Sequence, residues 1–205
     1  MPLNHIADDL AIGNARRIYV ADYLFNQIHV LDLSGNEIQT LQGPQIGAPA
    51  SIAIDSNDNK YILDASTNSI HVLDSSDQLT NTLNLNVTNI WMGGLRIAAD
   101  GTLIVTLAFT NTTQRIVLRL ATDGTVLFTK TYAMSDFSPN WATADSGGNM
   151  FIAGYYGLRV LDANGAQVGS FDVKGNAVGA SCGLARQGDT VYVCFLNRIY
   201  SLAAQ

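Results

Sequence analysis

The 205-residue sequence predicts an all-β fold, a β-propeller of about five four-stranded blades with the last blade lacking its outer strand. Three observations carry this. Ile18-Tyr19-Val20-Ala21-Asp22, followed by Asn26-Gln27-Ile28-His29-Val30-Leu31-Asp32, returns 42 residues later as Tyr61-Ile62-Leu63-Asp64 and Asn68-Ser69-Ile70-His71-Val72-Leu73-Asp74. Self-similarity at a period near forty, with strand-like alternation, is the mark of propeller blades. Lining up the third strands through Ile28, Ile70, Val117, Leu158 and Ile199 gives steps of 42, 47, 41 and 41 residues. Finally, Asp, Asn, Ser, Thr and Gly are abundant, whereas Glu37 is the lone glutamate. The first group favours turns and glutamate favours helices, so little helix is expected.

The blades run approximately over 6–42, 43–84, 85–130, 131–172 and 173–205, as one domain. In the first, Ile6 to Ile12, Arg17 to Ala21, Gln27 to Leu31 and Glu37 to Leu41 read as strands, with Ser34-Gly35 as the turn. Ser51 to Ile54, Lys60 to Leu63, Ser69 to Leu73 and Leu79 to Leu83 repeat the pattern. Ile28, Val30, Ile70 and Val72 show the period-two alternation of a strand. The third blade uses Leu95 to Ala98, Leu103 to Val105, Ile116 to Leu120 and Val126 to Thr129. Its Asp100-Gly101 and Asp123-Gly124 pairs suit two-residue hairpins in which both central residues take positive φ. Ala142 to Ala144, Phe151 to Ala153, Leu158 to Leu161 and Gln167 to Phe171 form the fourth, with Asn164-Gly165 as its turn. Cys182 to Ala185, Val191 to Cys194 and Arg198 to Leu202 form the fifth. Tyr19, Tyr61, Leu103, Phe151 and Tyr192 share one second-strand position and read as core between blades.

Charge and motifs narrow the function. A net charge of −6 with scattered basic residues works against phosphate-backbone binding, so no nucleic-acid partner is expected. No stretch is apolar and long enough to span a bilayer, and the first residues show no signal peptide, so the expectation is a cytoplasmic protein or an excised extracellular domain without membrane insertion. Cys182 and Cys194 lie on neighbouring strands whose register sets them on opposite faces, which favours buried thiols over a disulfide. Asn86-Val87-Thr88 and Asn111-Thr112-Thr113 match the glycosylation acceptor pattern, which matters only in a secretory host.

The pattern Tyr-Val-Ala-Asp, a short loop, Asn, then Ile-x-Val-Leu-Asp before a glycine turn resembles the NHL repeat. Asp22/Asn26 and Asp64/Asn68 stand at its motif positions, while Thr106, Gly154 and Phe195 replace the Asp in later blades. The resemblance implies a binding platform for protein, RNA or small ligands, and related propeller families include metal-dependent lactonases and lyases. In such repeats the Asp ties its loop through backbone hydrogen bonds.

No catalytic residue, metal site or cofactor is assigned. His29 and His71 occupy equivalent positions whose strands diverge, so they read as repeat filler, not as a metal pair. Asp55-Ser56-Asn57-Asp58-Asn59 imitates half a calcium loop but lacks its glycine and closing glutamate, and reads as a polar turn. The stronger signal is aromatic. Ten of the seventeen aromatic residues fall in segments expected at one end of the blades. Tyr23, Phe25, Trp91, Phe109, Phe137, Trp141, Tyr155 and Tyr156 are the candidate binding residues among them. Rigid rings supply contact area at small entropic cost, which suits a protein, peptide or glycan partner. A non-catalytic binding or scaffold module is therefore expected. The alternatives are a small-molecule hydrolase or lyase with a channel metal, and a subunit of an extracellular or virion assembly. The outer edge at Arg198 to Leu202 also offers a template for self-association.

Overall fold

The computed structural model describes residues 8–44, 46–155, 157–172, 181–187, 190–195 and 198–203. Their secondary structure is entirely β, in the antiparallel sheets of a five-bladed propeller. Two compact units divide the chain, residues 1–95 and 96–205, with the boundary inside one strand.

In the first unit, β1 (Asp9–Ile12), β2 (Ile18–Asp22), β3 (Gln27–Leu31) and β4 (Glu37–Leu41) form one sheet in chain order. A second holds β5 (Pro49–Ile54), β6 (Lys60–Asp64), β7 (Ser69–Leu73) and β8 (Leu79–Asn84). Registers Tyr19↔Val30 and Ala21↔Ile28 place four apolar residues on one face. That face packs on Ile52, Ile62 and Leu73 of the second sheet. Alternation explains the fit: side chains two apart share a face, so one sheet face becomes a continuous apolar layer.

The third sheet comprises β9 (Ile90–Ile97), β10 (Leu103–Phe109), β11 (Gln114–Leu120) and β12 (Val126–Ala133). The second unit then has β13 (Pro139–Ala144), β14 (Met150–Gly154), β15 (Gly157–Leu161) and β16 (Gln167–Asp172), and a three-stranded sheet of β17 (Ser181–Gln187), β18 (Thr190–Phe195) and β19 (Arg198–Ala203). Ile104 and Val117 pack on Ala142, Met150 and Ile152. Phe151, Ala153 and Leu158 on the other face of the fourth sheet pack on Val191, Val193 and Phe195. Among the described residues, β19 has a sheet partner on one side only.

Tyr19, Tyr61 and Phe151 are buried core, as their shared position suggests; Leu103 is buried too, but the register sets Ile104 at that position, opposite Arg119 as Tyr19 is opposite Val30. Tyr192 is 38% exposed, since alternation along β18 turns it away from the face on which Val191 and Val193 pack against the fourth sheet.

The hairpin turns differ from the expected two-residue type. Ala98 accepts from Gly101 N and donates to Thr102 O, and of the Asp100-Gly101 pair only the glycine has positive φ, 82°. That is a type I turn followed by a left-handed residue. Asp32 to Asn36, Ala121 to Thr125 and Asp162 to Ala166 share the pattern, with Gly35, Gly124 and Gly165 left-handed. Asp55 to Asn59 shares it too, with Asp58 at the left-handed position, so the calcium-like run is a hairpin turn.

The cysteine expectation is also corrected. Cys194 is disulfide-bonded, and Cys182 is the chain's other cysteine. β17 and β18 pair Ser181 with Phe195 and Gly183 with Cys194, with a bulge between. The extra residue of a bulge breaks the strict alternation on which the opposite-face expectation rested.

Candidate binding surface

The repeated Asp and Asn build the loop end of the first unit. Asp64 is fully buried, and its carboxylate accepts hydrogen bonds from Gly47 N at 2.6 Å, Ala48 N at 3.2 Å, Ser66 N at 2.8 Å, Ser66 Oγ at 2.6 Å and Thr67 N at 3.2 Å. Burial opposes its charge, yet these donors outweigh burial and hold the carboxyl below its ordinary range. In the first blade, Asp22 likewise accepts from Phe25 N at 3.0 Å. The motif Asn supplies the left-handed turn residue: Asn26 has φ 57° and Asn68 φ 53°. Asn68 also accepts from Ile90 N at 3.1 Å through its side chain and from Leu85 N at 3.3 Å through its carbonyl. The β2–β3 loop, the β6–β7 loop and the start of β9 therefore lie at one end of these sheets.

Four large apolar side chains stand out from that end. Leu24 and Phe25, on the loop Asp22 fastens, and Trp91 and Met92, next to the residue Asn68 fastens, are each more than half exposed. Tyr23 beside them is partly buried, with its N–H donating to Asp8 at 3.0 Å. The expected loop position of Trp91 is corrected, since β9 begins at Ile90 and runs through Gly93 and Gly94. The glycine pair reads as a break in sequence, but glycine accepts extended geometry as readily as a turn.

The second unit places its candidates differently. Phe137 is buried, with its ring 5.1 Å from that of Tyr132 and 4.8 Å from the Arg159 guanidinium. A Cβ on Gly154 would meet Ser138 O at 2.7 Å and the Phe137 ring at 2.8 Å, so glycine there is what lets Phe137 in. Trp141 sits in β13, partly buried, beneath Arg96 at 5.0 Å. Phe109 closes β10 and is partly buried, whereas Tyr155 is exposed. Tyr156 lies outside the described residues.

Each described histidine is engaged within its own blade. His29 has Nδ1 2.9 Å from Glu37 and Nε2 3.4 Å from Asp22. His71 has Nδ1 3.1 Å from Thr82 Oγ1, and Nε2 3.2 Å from Thr67 Oγ1 and 3.8 Å from Asp64. Burial pushes the His71 imidazole down, against the Asp64 charge. His5 lies outside the described residues. Among the described residues, no three His, Cys, Asp or Glu side chains gather as metal ligands would.

Sequence reasoning missed Leu24 and Met92, whose signal is adjacency to the aromatic residues it did single out. It also missed the buried cations Lys60 and Arg119.

No protein-family model matches the chain, and no curated protein matches it. Solved structures do. The chain is similar to a catalytically inactive virginiamycin B lyase from Staphylococcus aureus with quinupristin, at TM-score 0.77 and 15% identity, over 100% of this chain and 69% of that one. Hydrazine synthase from Kuenenia stuttgartiensis gives TM-score 0.73 and 16% identity, over 95% and 64%. The Cps50 (Swd1) β-propeller domain from Myceliophteria thermophila gives 0.67 and 11%, over 98% and 65%. The chain thus spans about two thirds of these chains' lengths, and the shared property is the propeller fold.

Proposed function

We propose that the chain is a non-catalytic binding or scaffold module of NHL-like propeller type, which recognises a protein, peptide or glycan through apolar side chains at the loop end of its first unit. The observation that carries this is the exposure of Leu24, Phe25, Trp91 and Met92 on or beside backbone fixed by buried Asp22 and half-buried Asn68. Loop residues normally face water with polar groups, and exposed apolar clusters mark contact sites. Fixing the backbone beforehand lowers the ordering cost of binding. The competing reading, a lyase acting on small molecules, draws on fold likeness to a lyase, and fold alone does not transmit activity. Peptide and glycan arrays probed with the wild-type chain and with Phe25→Ala and Trp91→Ala test the proposal.

A further inference from the structure

The second unit contains a cavity that traces to one missing side chain. In four blades, a third-strand residue just before a bulge faces a fourth-strand residue: Val30↔Gln39, Val72↔Asn81, Arg119↔Phe128 and Val160↔Gly169. The fourth blade alone carries glycine at this position. A Cβ added to Gly169 would lie 3.5 and 3.6 Å from Val160, ordinary contact distances, and its φ is outside the left-handed region. Neither close approach nor backbone geometry requires glycine, and what its absent side chain leaves is space.

That space is a cavity of about 410 Å³ beside Gly169. Phe151, Leu158 and Val160 of the fourth blade, Phe171 of its outer strand and Leu202 of β19 supply apolar walls. Asp145 also lines it, and among the described residues no Lys, Arg or His does. Asp145 is 4% exposed. Its carboxylate accepts from Asn149 N at 2.8 Å and Asn149 Nδ2 at 2.9 Å, and it makes no ion pair among the described residues. A carboxylate has about four acceptor sites, so about two stay open. In the corresponding turn of the third blade Ala98 stands at the Asp145 position, and the carboxylate two places on, Asp100, is paired with Arg119, whose Nη1 donates to Gly148 O of the Asp145 turn at 3.1 Å. A buried negative charge without a cation is costly, and a ligand bearing the cation removes the cost. Aromatic walls add cation–π attraction and apolar area, and the volume falls in the range of small-molecule sites, roughly 300–1,000 Å³.

We propose that this cavity binds small primary ammonium ions with an aromatic body, the ammonium donating to Asp145 and the ring packing between Phe151 and Phe171. The site is independent of the loop-end surface of the first unit.

Calorimetric titration with 2-phenylethylammonium, and with the neutral 2-phenylethanol as control, tests it. Saturable binding of the ammonium, at least tenfold weaker for the alcohol, is expected of the wild-type chain. Gly169→Leu fills the cavity from a strand position that tolerates a side chain, so it folds with an unchanged or raised Tm and loses binding at least tenfold. Asp145→Asn narrows the difference between the ammonium and the alcohol. No saturable binding to wild type, equal affinity for the two probes, or undiminished binding by folded Gly169→Leu would overturn the proposal.

Discussion

Lys60 Nζ lies 2.9 Å from Asp77 Oδ1, with the lysine side chain wholly buried and the aspartate nearly so. The ammonium also donates to Asp74 O at 2.8 Å and stands 5.3 Å from the centre of the Tyr19 ring. Tyr19 donates to the same Asp77 oxygen at 3.3 Å, which ties the first blade to the second. Removing one partner of a buried pair strands the other charge, at about 3–5 kcal/mol, whereas removing both costs far less. Lys60→Met is therefore expected to lower unfolding stability by about that amount, and Lys60→Met with Asp77→Asn to recover at least about 1 kcal/mol of it. Urea denaturation of the four forms checks this. A single variant as stable as wild type would refute the pairing.

Acid should act in two windows. Burial holds the His71 imidazole below its ordinary value, so the folded chain prefers it neutral. Its contribution is present above the unfolded value of about 6.5 and is lost as pH falls through the lower folded value. For Asp64 and Asp100 burial raises the carboxyl, but hydrogen bonds outweigh it, and both are held low. Their contribution is complete above about pH 4 and disappears as pH falls through their folded values. Denaturation midpoints measured from pH 8 to pH 2 should decline first below about pH 6.5 and again below about pH 4. His71→Gln should remove the first decline and Asp64→Asn should shrink the second.

Tyr132 points the other way. Its hydroxyl is buried without a hydrogen-bond partner among the described residues, and burial pushes its pKa up to about 12, against a lowering effect of Arg159. A buried polar atom without a partner costs about 1–3 kcal/mol. Tyr132→Phe is expected to leave stability unchanged or raise it by up to about that amount. In an alkaline absorbance titration it should remove a late phenolate transition and none of the early ones. A marked loss of stability would mean that the hydroxyl is satisfied.

Much of the fold was legible because its signals are local. Gly35, Gly101, Gly124 and Gly165 each mark a turn by conformational freedom alone, and the Asp64/Asn68 spacing encodes a carboxylate cap and a left-handed residue within five positions. Turn type was less legible, since a left-handed glycine after a type I turn and a two-residue hairpin use the same dipeptide. The burial of Lys60 was invisible, because Asp77 is seventeen residues away and Tyr19 belongs to another blade. Phe137 looked like a loop aromatic because its pocket exists only through Gly154, seventeen residues on. Trp91 was legible as exposed and aromatic, but its place on β9 was not, since Gly93-Gly94 hides the strand.

The most direct test of the loop-end surface is the array comparison run on a stability-matched pair, wild type against Phe25→Ala with Trp91→Ala. Both side chains are more than half exposed, so the double variant should unfold within about 1 kcal/mol of wild type. The account predicts that wild type is retained by members of one class, peptide or glycan, and that the variant binds them at least tenfold more weakly. Equal retention of the two, or no retention of wild type on either array, would contradict it.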